Sequence, residues 1–133
     1  MNVLAIYKAR QAHKKRLIKA AGVTTVDLVC TDDTWDFIHR ICTREYGTAM
    51  FKDGAAVRRE DGLAEISFSG PSLVKLLIRT EWIRRAHVSS SPDWALATRI
   101  YDAAAEVVDR IDLTTDKGEQ LPPIVIDARV NGN

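Results

Sequence analysis

Helical patterns interspersed with short strand-like segments predict an α+β protein, with about four helices packed on a small mixed or antiparallel sheet. Apolar residues recur every three or four positions in the helical segments, and Asp-Gly pairs separate the short strand-like runs. The elements do not alternate strictly as strand, helix and strand, which argues against a doubly wound sheet. With 133 residues and 46% hydrophobic content, residues 1–133 are expected to form a single domain that needs no disulfide or metal to fold.

The N-terminal part is predicted to contain a helix, a strand and a second helix. Good helix formers occupy Val3 to Ala21, and Gly22 is expected to end this helix in the left-handed conformation. β-branched residues from Val23 to Cys30 alternate as in a strand. Thr31 precedes two aspartates and is expected to cap a helix ending near Gly47, because carboxylates favour a helix N-terminus.

The remaining elements follow from turn signals and apolar spacing. Asp-Gly pairs at 53–54 and 61–62 predict turns between strands at 48–51, 55–59 and 63–69. Pro71 starts a third helix whose apolar residues cover most of its circumference, so it is predicted to lie at the centre of the core. A fourth, more regular helix begins near Pro92 after a serine-rich loop, and a last strand is predicted at 124–127.

Charge is distributed unevenly along the chain. The first 26 residues hold six of the 19 Lys and Arg residues and none of the 18 Asp and Glu residues, so 13 cations accompany 18 acids in the rest. A basic helix of this kind favours contact with a polyanion or with an acidic protein surface. The predicted binding residues are the cations of this helix and one aromatic anchor: Tyr7, Lys8, Arg10, Lys14, Lys15, Arg16 and Lys19.

The first helix also carries a pattern that conflicts with full burial. Its predicted apolar face is made of Val3, Ile6, Tyr7, Leu17, Ile18 and Ala21. Arg10 and Lys14 fall in the middle of that face, so either the first turns extend beyond the body or these side chains reach over the edge of the core. If the helix is instead neutralised within the chain, the expected partners are Asp27, Asp32, Asp33 and Asp36.

Nucleic-acid binding by the same helix is the main alternative to a protein partner. Arg58 and Arg59 would then contribute backbone contacts, in an order of elements similar to that of a winged helix. A helix-turn-helix requires two adjacent helices, however, and only one is visible before the predicted hairpin. If all six basic residues met phosphates, the logarithm of the affinity would fall with that of the salt concentration with a slope of about −5.

Candidate catalytic residues are few. Asp32, Asp36 and His39 share one stripe of the second helix and could hold a divalent ion, although the same carboxylates suit an ordinary helix N-terminus. Glu81 lies in the apolar arc of the third helix, so it must pair with an arginine one turn away or act as an acid/base group. A small enzyme or ligand binder built on these residues is the third alternative.

No GxSxG, P-loop, GxGxxG or HExxH motif occurs in the sequence. We therefore predict no catalytic residue, no metal and no cofactor, and favour a non-enzymatic protein. Cys30 and Cys42 do not form a CxxC pair, which indicates inert thiols in a reduced, cytoplasmic protein. Neither a membrane-spanning apolar run nor a signal peptide is visible, so no membrane association is expected.

Two stretches carry a family resemblance: SGPSLVKLL from Ser69 to Leu77, and ATRIYDAAAEVVDRID with LPPIVIDAR between Ala97 and Arg129. They resemble small uncharacterised proteins of high-GC Gram-positive bacteria and their phages, which combine a similar helix pair with a proline-led final strand. The resemblance covers the C-terminal half and implies no activity. A phage association implies an accessory or inhibitory protein that modulates another macromolecule. A homodimer remains open, because a second copy could cover the third helix.

Overall fold

The computed structural model describes residues 2–43, 56–86, 91–112 and 121–126. Within these residues four helices and a four-stranded mixed sheet share one hydrophobic core, which confirms the α+β class. The elements are α1 Val3–Ala21, β1 Thr25–Cys30, α2 Asp32–Thr43, β2 Val57–Arg58, β3 Ala64–Ser69, α3 Gly70–Ala86, α4 Pro92–Val108 and β4 Ile124–Ile126. None of the described helices combines the length and apolarity needed to cross a membrane.

The sheet has the strand order β2-β3-β1-β4. β1 pairs with β3 in antiparallel and with β4 in parallel orientation, so the short last strand completes the sheet at its edge. The predicted turn at 61–62 joins β2 to β3, and Gly62 adopts a φ of 86° there, which a side chain would disfavour. The predicted strand at 48–51 and the Asp-Gly pair at 53–54 lie outside the described residues.

Side-chain hydroxyls cap the N-termini of α2 and α4. Thr31 Oγ1 accepts a hydrogen bond from the Thr34 amide at 3.2 Å, and Ser91 Oγ accepts one from the Trp94 amide at 3.1 Å. The left-handed conformation predicted for Gly22 is wrong, because its φ is −87°. The Gly22 amide donates to the carbonyl of Lys19, so the helix ends in a tight right-handed turn that continues toward β1.

The central position predicted for α3 is only partly correct. Leu73, Leu76 and Leu77 are fully buried, whereas Ile78 is 41% and Trp82 is 55% exposed. Neighbouring helices pack on α3 from several sides and leave one strip of its surface to solvent. The regular apolar spacing of α4 corresponds to a buried face at Ala97, Tyr101, Ala104 and Val108, continued by Ile111 just beyond the helix, whereas Trp94 at its start is half-buried.

Candidate partner-binding site on the first helix

α1 is attached to the rest of the protein by its C-terminal half. Ala20 is fully buried and Leu17 packs against the core, whereas Val3, Leu4 and Tyr7 are exposed by 82%, 57% and 59%. Gly70, at the start of α3, lies beside the backbone of Ala20, so the end of α1 meets the beginning of α3. The first turns of α1 therefore extend away from the core, which is one of the two arrangements expected from the sequence.

The predicted apolar face of α1 is not the face that packs. Ile18 was assigned to that face, yet its side chain is 63% exposed. Leu17, from the same predicted face, does pack against the core. The helix instead turns Ala20, His13 and Arg16 toward the body, because the small Ala20 allows close approach and the two polar side chains find partners on α4. Solvent therefore surrounds the cations that seemed misplaced in the sequence.

A polar junction, formed by His13, Arg16, Tyr101 and Asp109, holds α1 on α4. The Tyr101 hydroxyl lies 2.7 Å from His13 Nδ1, and Arg16 Nη1 donates to the same oxygen at 3.3 Å. Because an arginine can only donate, the hydroxyl proton is free to be donated to Nδ1 when the imidazole is neutral and carries its proton on Nε2. Arg16 also donates two hydrogen bonds of 2.9 Å to the Asp109 carboxylate, the bidentate geometry of a strong ion pair.

The surroundings shift the pKa of each titratable member of the polar junction. Burial lowers the pKa of His13; three neighbouring arginines lower it further, while Glu81 opposes them. Burial also raises the pKa of Tyr101, and the hydrogen bonds from Arg16 lower the pKa of Asp109. At neutral pH the junction therefore consists of a neutral His13–Tyr101 pair beside a charged Arg16–Asp109 pair.

The structure separates the predicted cations of α1 into two groups. Arg16 and Lys19 contact the body, since Lys19 Nζ donates to the Asp109 carbonyl at 3.3 Å and Arg16 binds the Asp109 carboxylate. The other four are exposed and form no ion pair with any residue that the structure describes: Lys8, Arg10, Lys14 and Lys15. These four cations are available to a partner.

The expected acidic partners of α1 are wrong. Asp27 accepts a hydrogen bond from Ser67 at 2.8 Å, and Asp32 pairs with Arg58. The acid that pairs with α1 is Asp109, which binds Arg16 from 93 residues away in the chain. Arg58 and Arg59 lie on the β2–β3 hairpin and both are paired: Arg58 with Asp32 at the start of α2, and Arg59 with Asp61 of the hairpin, at 3.2 Å from Arg59 Nη2.

Glu81 forms the structural ion pair expected from its spacing. Its carboxylate accepts hydrogen bonds from Arg84 Nε at 3.0 Å and from Arg85 Nε at 3.1 Å, and its side chain is 12% exposed. The guanidinium of Arg84 also lies 4.4 Å from the centre of the Tyr101 ring, which connects this ion pair to the polar junction. Glu81 is therefore not the unpaired buried acid that an acid/base role requires.

The stripe of Asp32, Asp36 and His39 shows no organised metal site. Asp32 is bound by Arg58, and the His39 ring packs 5.7 Å from that of Trp35. In the described parts of the chain, no three or more His, Cys, Asp and Glu side chains are grouped so as to hold a metal ion. Cys30 and Cys42 are buried, and burial raises the pKa of the Cys30 thiol to about 12, which suits inert thiols.

The side of α1 opposite Ala20 forms an outward face that combines apolar and basic side chains. Leu4, Tyr7 and Ile18 are each more than half exposed along it. Sequence reasoning identified Tyr7 and the cations but missed Leu4 and placed Ile18 on a packed face. The outward face consists of Leu4, Tyr7, Lys8, Gln11, Lys14, Lys15 and Ile18.

Searches of protein-family models, curated proteins and solved structures found no match to this chain. The resemblance to small proteins of high-GC Gram-positive bacteria and their phages therefore stays a prediction. The chemistry of the site has to be inferred from the geometry of α1 and its neighbours.

Proposed function

We propose that the protein is a non-enzymatic accessory or inhibitory protein that docks on an acidic surface of a partner protein through the outward face of α1. The observation that carries the proposal is the coexistence of exposed apolar side chains and unpaired cations on a helix without a single acid. Lys8, Lys14 and Lys15 would steer the association, and Leu4, Tyr7 and Ile18 would supply contact area.

The apolar side chains favour a protein partner over nucleic acid. Phosphate contacts need cations and polar donors and gain little from exposed leucine and isoleucine. Protein interfaces, in contrast, combine an apolar centre with a polar rim. On α1 the lysines stand beside Leu4, Tyr7 and Ile18, which matches that arrangement. Two of the six predicted phosphate contacts are also occupied, because Arg16 and Lys19 bind Asp109.

The test is a titration of the protein against a fluorescein-labelled helical peptide with leucines on one face and glutamates on the others. A peptide of about 20 residues spans roughly 30 Å, the length of α1. Wild-type protein is expected to bind, and Lys8→Glu with Lys15→Glu is expected to weaken binding by at least tenfold. A peptide with glutamine in place of glutamate should bind poorly, because the charge complementarity is lost.

The matched control is Arg40→Glu with Arg110→Glu, which changes the net charge equally but at exposed positions on α2 and just beyond α4. This control should bind the peptide like the wild type. The proposal is wrong if the wild type does not bind the acidic peptide, or if both double variants lose affinity to the same extent. Thermal denaturation of each variant shows whether its fold is retained.

Nucleic-acid binding is tested in the same series with duplex and single-stranded DNA and RNA at about 50 and 200 mM salt. With four free cations, a plot of the logarithm of the affinity against the logarithm of the salt concentration should have a slope no steeper than about −4. Six phosphate contacts would give a slope of about −5. Tight binding to nucleic acid that collapses at the higher salt, without binding to the acidic peptide, would replace the proposed function with nucleic-acid binding.

A further inference from the structure

The surface of α3 exposes two large apolar side chains one helical turn apart. Ile78 and Trp82 are 41% and 55% exposed, and their i, i+4 spacing places them on the same side of the helix. Arg79 orients the tryptophan, because its guanidinium lies 5.1 Å from the centre of the Trp82 ring while its Nε donates to the Ile41 carbonyl at 3.0 Å. Trp82 is thus an exposed aromatic side chain whose ring packs against the hydrogen-bonded guanidinium of Arg79.

This strip of α3 borders the outward face of α1. Around α3, Ile78 and Trp82 lie between Glu81 and Arg79. Glu81 binds Arg84, whose guanidinium lies over the ring of Tyr101, the residue that His13 of α1 contacts, and Arg79 bonds to α2. The two helices are antiparallel, since the start of α3 meets the end of α1, while Arg84 near the end of α3 and His13 in the middle of α1 both contact Tyr101.

The contact of α1 with α4 shows which side of α1 is turned toward α3. Arg16 bonds to α4, so the opposite flank of α1, which carries Lys14, faces the α3 strip. α1 and α3 pack directly on each other, and packed helices run about 8–10 Å apart, so one ligand can reach both surfaces.

Apart from Glu81, the charged side chains on the outward face of α1 and beside the exposed strip of α3 are basic. α1 contributes free lysines and no acid, and Lys75 extends the basic row onto α3. The acid of α3, Glu81, is mostly buried and is paired with two arginines, so it does not oppose an approaching anion. A ligand that covers both helices therefore meets cations around a tryptophan and an isoleucine.

We propose that the acidic partner contacts α3 as well as α1, and that Trp82 is the principal apolar anchor of the interface. This inference rests on the proposed function. The occupant is an acidic polypeptide that places apolar side chains between the two helices, because charge complementarity selects the acids and the exposed strip selects the apolar groups. Tryptophan is enriched among the residues that dominate binding energy, and an oriented ring loses little entropy on binding.

The experiment uses the same labelled leucine–glutamate peptide with Trp82→Ser and Ile78→Ser. We expect Trp82→Ser to weaken binding at least tenfold and Ile78→Ser to weaken it less. The matched control is Val57→Ser, which removes an apolar side chain 64% exposed on β2 and should bind like the wild type. The charge variant Lys8→Glu with Lys15→Glu is titrated in parallel.

Fluorine NMR of the protein labelled with fluorotryptophan gives a second readout that does not depend on a serine variant folding. The chain has three tryptophans, and Trp82→Phe identifies the resonance of Trp82 by its disappearance. Peptide binding should shift that resonance and leave those of the half-buried Trp35 and Trp94 in place.

The results separate the two proposals. If the charge variant loses binding while Trp82→Ser binds like the wild type and its resonance does not move, α3 takes no part and the inference is overturned, although the proposed function stands. If the wild type fails to bind the peptide, the proposed function falls and the inference falls with it. Loss of binding in both variants, with a shifted Trp82 resonance, supports both.

Discussion

The hydroxyl of Tyr101 is the shared partner of two polar side chains of α1. Tyr101 is 1% exposed and its oxygen contacts both His13 and Arg16, so an unpartnered hydroxyl there would be costly. A neutral imidazole can accept the hydroxyl proton at Nδ1. With an imidazolium, the hydroxyl oxygen would accept from both His13 and Arg16, and its own proton would have no acceptor between these two side chains. The polar junction is therefore complete only while His13 is neutral.

We predict that His13 makes folding stability depend on pH. Its pKa in the folded state is lowered below the ordinary value of 6.5, chiefly by burial, so the unfolded chain binds more protons near that pH. Stability is then greatest above about pH 6.5 and falls as the pH drops through that value toward the lower folded pKa. Urea denaturation at about pH 7.5 and pH 5 should show this loss, and His13→Gln should reduce it.

The control for this prediction is His39→Gln, because the His39 side chain is exposed on α2. His39→Gln should retain the pH dependence of the wild type. An unchanged dependence in His13→Gln would show that the junction does not exclude the charged imidazole. The Arg16–Asp109 pair does not interfere, since the lowered pKa of Asp109 confines its own loss of stability to more acidic solutions.

At the level of elements, the join between α1 and α3 depends on a close approach of backbones. A Cβ added to Gly70 would lie 2.4 Å from the Val23 carbonyl oxygen and 2.9 Å from that of Ala20. Both are backbone atoms, one in the last turn of α1 and the other in the short connection from α1 to β1, so neither can move without displacing an element. Glycine at this position therefore sets how closely α3 begins beside α1.

We expect Gly70→Ala to destabilise the protein by about 1–3 kcal/mol or more through overpacking, measured by urea denaturation. Gly62 provides the comparison, because it has a φ of 86° but nothing within 4 Å of an added Cβ. Gly62→Ala should cost about 1–2 kcal/mol from backbone strain, and Gly62→Asn should recover part of it, since asparagine tolerates this conformation. Gly70→Asn should recover nothing; equal recovery at both sites would contradict a steric origin at Gly70.

For the whole molecule, the basic residues of α1 divide between stability and binding. Arg16 is 25% exposed at its side chain and bridges to α4, whereas Lys8 and Lys15 contact no acid among the described residues. The net charge of +1 does not reveal this division, because it counts paired and solvent-exposed cations alike.

Substitutions should reveal this division directly. Arg16→Met is expected to lower the free energy of unfolding by about 1–2 kcal/mol, a value moderated by the partial exposure of Asp109. Lys8→Glu with Lys15→Glu should leave it unchanged within about 0.5 kcal/mol. Parallel urea denaturation of the three proteins provides the measurement. If the lysine variant were as destabilised as Arg16→Met, α1 would be held by charges along its whole length and its outward face would not be free.

The chain order and boundaries of most elements could be predicted, because they depend on neighbouring residues. The bounds of α1, the cap at Thr31 and the start of α4 at Pro92 agree with the structure. The rotation of α1 could not be predicted, because it depends on Tyr101 and Asp109, whose sequence positions gave no sign of contact with the first helix. The exposure of Trp82 was missed for the same reason: apolar residues around a whole helix indicate burial only if other elements cover every side.

By itself the sequence determined that this is an α+β protein with an acid-free basic first helix and no recognisable catalytic motif. Those properties depend on composition and on spacing within a few turns of helix or strand. Only the tertiary structure decided which cations remain free and which apolar residues face solvent. Each of these depends on side chains brought together by folding, as Arg16 and Asp109 are across 93 residues of chain, and local patterns contain no information about such distances.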